Sequence, residues 1–286
     1  MGNRKKSSKH GSIADALRVR GGSANLSKRD ANATPGVRDK QEAAERLEAN
    51  LALLDEMQYR LYAEGQRSLL LVFQGMDAAG KDGVIRKVAT AFNPQGCRAW
   101  SFKVPTPEEA AHDFLWRIHR AVPPKGDVAI FNRSHYEDVL VVRVHDLVPK
   151  SVWSERYAII NEFEQRLHQH GTTILKFFLH IDHDEQTQRI RERLDDPAKH
   201  WKFSEADLNE RKHWNDYQAA FSDLLGRCST KHAPWYVIPA NRKWYRDVAV
   251  SDIIVETLAE MNPHPKAVKL DVKSLRARLA RSGSGS

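Results

Sequence analysis

Residues 72–83 read Val-Phe-Gln-Gly-Met-Asp-Ala-Ala-Gly-Lys-Asp-Gly, "VFQGMDAAGKDG". They overlap a continuous apolar run of strand length, 68–73, and lead into residues 82–92, where apolar side chains return at helical spacing. Strand, glycine loop and helix in that order, with G-x-x-x-x-G-K at the junction, describe a phosphate-binding loop. Backbone N–H groups of Gly75, Ala78, Ala79, Gly80, Lys81, Asp82 and Gly83 curl round phosphate oxygens, and Lys81 reaches toward the transferred group. Two residues depart from the usual pattern: Asp82 stands where Ser or Thr normally ligates magnesium, and Asp77 adds a second carboxylate inside the loop. A carboxylate repels phosphate unless a cation or a basic group lies between them, so Asp77 points to metal or phosphate-site work. Asp82 suits that role or a helix N-cap.

Beyond the loop the pattern alternates. Residues 128–131 (VAIF), 173–181 and 235–239 read as further buried strands, and helical periods cover 40–63, 107–121, 151–169, 184–195 and 204–225. Strands alternating with helices imply an α/β fold with a parallel sheet covered on both faces. Residues 1–38, rich in Gly, Ser, Asn, Lys and Arg without apolar periodicity, read as a flexible basic arm. Residues 39–265 form the P-loop domain, and 266–286, ending in RSGSGS, a C-terminal tail.

The 286-residue chain carries 45 Lys and Arg against 37 Asp and Glu, a formal charge of +8. That excess admits nucleic acid, an anionic membrane or a phosphate-rich substrate, and the position of the charge must decide. No apolar run approaches the roughly 20 residues a membrane span needs, and the basic N-terminus lacks the apolar segment of a secretory signal. A cytoplasmic protein without membrane attachment is expected. Cys97 and Cys228 lack ligand spacing, so both are expected reduced and buried.

The second loop, "FNRSHYEDVL" at 131–140, puts Arg133 just past a strand, placed to grip phosphate at the carboxyl end of the sheet. Asn132 directly after the strand carries no charge, so Glu137 is the next carboxylate for magnesium; His135 and Tyr136 read as packing or hydrogen-bonding residues. Farther on, Arg189 and Arg193 lie four apart on one helical face, and Lys199, Lys202, Arg211 and Lys212 follow around Pro197. Two helices joined by a basic turn, about 184–214, form a lid able to close over phosphates and exclude water.

"GMDAAGKDG", "SFKVPT" at 101–106, "FNRSHYEDVL", "RIRERLDDPAKHWKFS" and "APWYVIPANRKWYR" together resemble the polyphosphate kinase 2 family over most of residues 40–262. The resemblance implies a thymidylate-kinase-like fold, a parallel sheet flanked by helices with a helical lid. It implies phosphoryl transfer between inorganic polyphosphate and adenine nucleotides (AMP, ADP, ATP) with Mg2+, in a homo-oligomer of two or four chains, with neither nucleic acid nor membrane as partner. Asp77, Lys81 and Arg133 fall on the family's motif positions. Many relatives place Asp at the position of Asn132 and Asn at that of Glu137; the arrangement here is similar to the subgroup that phosphorylates both AMP and ADP. On this reading Asp77 and Glu137 hold magnesium, and Lys81, Lys103, Arg133, Arg189, Arg193, Lys202 and Arg211 neutralise phosphoryl oxygens. Two rivals make different demands. An ATP-dependent nucleoside monophosphate kinase needs an adenine pocket for its donor, and a non-catalytic polyanion-binding protein leaves the loop carboxylates without purpose.

Overall fold

The computed structural model describes residues 12–282 except Ser23, without the side chains of Lys202 and Asp207. Its centre is β1 (Ser68–Gln74), buried at every position, as a strand covered on both faces must be. Helix α1 (Ile13–Leu17) and the long α2 (Lys40–Glu64) precede it. The Asp39 carboxylate caps α2 by accepting from the backbone N–H groups of Gln41 and Glu42, and Gly65 ends the helix in the left-handed conformation. After β1 come α3 (Lys81–Ala89), β2 (Cys97–Ser101), α4 (Pro107–Ala110), α5 (Trp116–His119), β3 (Val128–Asn132), α6 (Glu137–Val144), α7 (Lys150–Gln169) and β4 (Thr172–His180). The chain closes with α8 (His183–Asp195), α9 (Glu205–Glu210), α10 (Trp214–Cys228), β5 (Trp235–Pro239), α11 (Lys243–Met261) and α12 (Val272–Ser282).

Among the described residues there is one five-stranded sheet, wholly parallel, in the order β2-β3-β1-β4-β5. Alternation along β1 divides the core. Leu69, Leu71 and Phe73 face the layer built with α2, α3 and α11, whereas Leu70 and Val72 face the layer built with α6, α7 and α10. The α/β class and helical flanks match the sequence expectation. No helix among the described residues is long and apolar enough to cross a membrane.

Several elements differ from the sequence reading. Strand β2 went unrecognised: it lies at the sheet edge, its residues range from half-buried to exposed, and CRAWS has no buried-strand signature. The helix expected over 107–121 is two short helices. Residues 12–38, expected to be part of a mobile arm, lie against the domain with Ile13, Leu17, Val19, Leu26 and Val37 all buried. Val19 N–H donates to Trp235 O, and Arg18 bridges Tyr236 antiparallel. Their apolar side chains follow no single period because they fit a groove already shaped by β5, α10 and α11. Residues 1–11 lie outside the described residues. Within the expected tail, α12 is helical and buries none of its side chains. Cys228 is buried, but Cys97, on the edge strand, is only half-buried.

Candidate active site

β1 and β3 are neighbours paired from Leu69↔Val128 to Phe73↔Asn132, so the loops leaving their carboxyl ends meet. This is also where successive connections diverge to opposite sides of β1, the crevice in which open α/β sheets bind ligands. The first loop is compact. A Cβ on Gly75 would stand 2.8 Å from Leu179 O, and one on Gly80, whose φ is +97°, 2.2 Å from Arg246 Nη1. Only glycine fits either position. Lys81, the first residue of α3, is almost fully covered, and its Nζ donates to Gly75 O (2.7 Å) and Met76 O (3.2 Å). Burial lowers its pKa, and the Arg133 guanidinium acts in the same direction against Asp77, Glu137 and Asp82.

Each unusual carboxylate of the first loop has a partner on the second. Asp77 Oδ1 accepts from Arg133 Nη2 at 2.7 Å, and Asp82 Oδ1 accepts from Asn132 Nδ2 at 2.7 Å. Asp82 therefore does not cap α3, whose N-cap is Gly80 without a side-chain bond. Arg133 is left-handed, with φ +61°, and its backbone N–H donates to Phe73 O at 3.0 Å. Its Nη1 lies 3.6 Å from Glu137 Oε2. One guanidinium thus stands between the carboxylates of Asp77 and Glu137. Among the described residues no group of three or more His, Cys, Asp or Glu could enclose a metal. The carboxylates of Asp77 and Glu137 on either side of that guanidinium nevertheless fit magnesium, which binds through one or two protein carboxylates plus substrate phosphates.

These loops open into a cavity of about 760 Å³ whose described lining includes ten basic side chains against four acidic ones, so it attracts polyanions. Lys81, Lys103, Arg133 and Arg193 lie on its wall, together with Arg86, Lys87, Lys199 and Lys243. On the other side of the Asp77–Arg133 pair a narrow pocket is lined by Glu137, Gln186, Glu210 and Tyr217. Asp77 and Arg133 belong to both walls.

The lid residues separate by depth. Arg193 is half-buried at the cavity. Arg189, expected to meet phosphate, touches the same cavity but is only 5% exposed, and its terminal nitrogens are directed at backbone. Nη1 donates to Ala78 O and Ala79 O, Nη2 to Ala240 O and Asn241 O, and Nε to Glu185 Oε1. It ties the first loop to the segment after β5. Arg211 likewise braces the lid itself, donating to Gln186 Oε1 (3.0 Å) and Thr187 Oγ1 (2.7 Å), while Gln186 Nε2 donates to Asp77 O. The Lys202 side chain lies outside the described residues. The sequence reading missed Arg246, buried on α11 with Nη1 donating to Gly80 O at 3.2 Å. Its signal was present in "RKWYR", an arginine one turn into a helix after a strand, but nothing local to that stretch points at the loop.

Residues 37–266 match the family model described as Polyphosphate kinase 2. An AMP/ADP-polyphosphate phosphotransferase of Meiothermus ruber is 56% identical over 230 residues, covering 79% of this chain and 86% of that protein. An ADP-polyphosphate phosphotransferase of Rhodopseudomonas palustris is 46% identical over 239 residues, with 79% and 83% covered. The crystal structure of polyphosphate kinase 2 from Arthrobacter aurescens superposes with a TM-score of 0.92 at 44% identity, over 95% of this chain and 98% of that one.

Proposed function

The chain belongs to the polyphosphate kinase 2 family, and from that premise we propose that it moves the terminal phosphoryl group of inorganic polyphosphate to AMP and to ADP, reversibly. The observation that carries this reading is the shared wall: Asp77 and Arg133 divide a long basic cavity, suited to a phosphate chain without a base, from a narrow pocket bearing Glu137. The Meiothermus relative, whose name includes both acceptors, supports the pairing of AMP with ADP.

Phosphoryl transfer asks the protein chiefly to position two polyanions and to stabilise charge on the group in flight. Lys81 holds its ammonium against the loop carbonyls at the head of the cavity, ready to exchange those acceptors for phosphoryl oxygens. Arg133, held by Asp77, presents a guanidinium where the group crosses from donor to acceptor side. Arg189 and Arg246 keep the loop carbonyls turned away from phosphate, so the loop N–H groups face it. Asp77 and Glu137 would hold magnesium, which would supply positive charge to offset that of the converging phosphates. Arg193, Lys199 and Lys243 extend the positive lining along the chain. Assembly of two or four copies is part of the same proposal.

Incubation with AMP, magnesium and long-chain polyphosphate as sole donor should yield ADP and then ATP. If AMP were converted only when ATP was supplied, the reading would give way to an ATP-dependent nucleoside monophosphate kinase; binding of polyphosphate without products would leave a polyanion-binding protein.

A further inference from the structure

Beneath the second loop lies a charged cluster that lines neither cavity. Lys176 on β4 and Glu164 on α7 are wholly buried, and Lys176 Nζ stands 2.5 Å from Glu164 Oε2. The same ammonium donates to Tyr136 Oη and to Cys228 O, each at 2.7 Å, so all three of its hydrogens have acceptors. Tyr136 Oη donates in turn to Glu164 Oε1 at 2.8 Å, and His135 Nε2 lies 3.2 Å from that oxygen. Both His135 and Tyr136 are inaccessible to solvent.

His135 and Tyr136 belong to the turn between Arg133 and Glu137. That turn holds a left-handed arginine, a conformation that is strained for a non-glycine residue and persists only where the surroundings impose it. Local bonds supply part of the constraint: Glu137 N–H donates to Ser134 O at 3.1 Å, and Ser134 Oγ accepts from Tyr136 N–H and Gln74 Nε2, each at 3.2 Å. The rest comes from below, where Tyr136 and His135 are anchored on the ion pair. Stability alone is a poor reason for such a pair, since apolar side chains of equal volume often do as well or better. Its place directly under a strained loop supplies another reason.

We propose that Glu164 and Lys176 are positioning residues: their buried ion pair grips the Tyr136 hydroxyl and the His135 ring, and so sets the turn from which Arg133 and Glu137 reach the phosphate site. The geometry stands alone, while the kinetic consequence rests on the phosphotransfer reading above. A network bonded at nearly every atom has a single arrangement, and an apolar patch would let the aromatic rings slide and the turn with them.

Tyr136→Phe tests this by deleting one hydroxyl while keeping the ring and the ion pair. Two readouts are taken, residue-resolved amide hydrogen exchange and steady-state kinetics. The amides of Arg133 and Glu137 should exchange about tenfold faster, as expected for one lost hydrogen bond to charged partners, with β1 and β4 unchanged. The kcat should fall about tenfold while the KM for polyphosphate stays within about twofold, because every described basic side chain of the cavity except Arg133 lies outside the loosened turn. The double variant Glu164→Gln/Lys176→Met, which removes both charges and strands neither, should fold and show the same pair of effects. Unchanged exchange at Arg133 and Glu137 in both variants would overturn the proposal, as would equal acceleration across the whole sheet or a loosened turn with normal kcat. If the wild-type chain turned over no polyphosphate, the phosphotransfer reading would fail while the exchange data still decided the positioning role.

Discussion

The middle and the last turn of α8 carry similar arginines that do different work. At mid-helix Arg189 is 5% exposed and bonded to the carbonyls of Ala78, Ala79, Ala240 and Asn241, so it belongs to the floor of the site. One turn on, Arg193 stands at the open cavity, and the following turn exposes Lys199 and Trp201, the latter at 78%. The floor is a closed hydrogen-bond lattice, and the outer lid is a charged surface over a groove. A guanidinium whose terminal nitrogens meet backbone carbonyls fixes the shape of a loop; one at the cavity surface lies where a polyanion can be met. Spacing on a helix cannot distinguish the two, since depth depends on what lies across from each position.

Variants can break or sharpen this contrast. The largest effect is expected on the floor at Lys81: Lys81→Ala should reduce turnover by about 100- to 1,000-fold, as loss of one preorganised charge-stabilising donor does, with circular dichroism unchanged. Near-normal rates in the folded variant would take the loop out of the mechanism. Next, Arg189→Gln should destabilise the chain by about 3 kcal/mol, because buried carbonyls lose a charged donor, and should lower activity at every salt concentration. Thermal or urea unfolding measured beside initial rates would expose the alternative, since a variant with unaltered stability would move Arg189 to the phosphate face. Arg193→Gln should leave unfolding within about 0.5 kcal/mol of wild type, raise the KM for polyphosphate several-fold and make its salt dependence shallower by about one charge contact. Kinetics indistinguishable from wild type at two ionic strengths would make Arg193 an ordinary solvated residue.

The smallest expected effect is a ratio on the acceptor side. Glu137→Asn should impair phosphorylation of AMP about two- to fivefold more than that of ADP, because the shorter acceptor brings fewer phosphate oxygens to hold magnesium. Matched assays on both acceptors decide it, and equal losses would leave Glu137 no part in acceptor choice.

Much of this site was legible before any coordinates. Residues 75–83 form a local motif whose geometry is dictated by its own glycines and by the strand and helix around it, and Arg133 and Glu137 follow from a second loop of the same kind. The partners of Asp77 and Asp82 were not legible. They are Arg133 and Asn132, more than 50 positions away in one case and 50 in the other, and only the parallel pairing of β1 with β3 sets them opposite. Arg246 and the Glu164–Lys176 pair escaped for the same reason, each being an ordinary charged residue on its own element until another element closes over it.

By itself the sequence determined what local chemistry can determine: an α/β chain, a phosphate loop with two unusual carboxylates, a positive charge collected near that loop, and a resemblance carried by five short motifs. Backbone conformation over a few residues depends on those residues, so such features survive without a partner. Tertiary structure alone decided which charges are buried and which line the open cavity, that residues 12–38 dock on the domain, and that one guanidinium separates two compartments. Burial, pairing and strain belong to contacts between segments distant in the chain, and those contacts exist only once the sheet has brought the segments together.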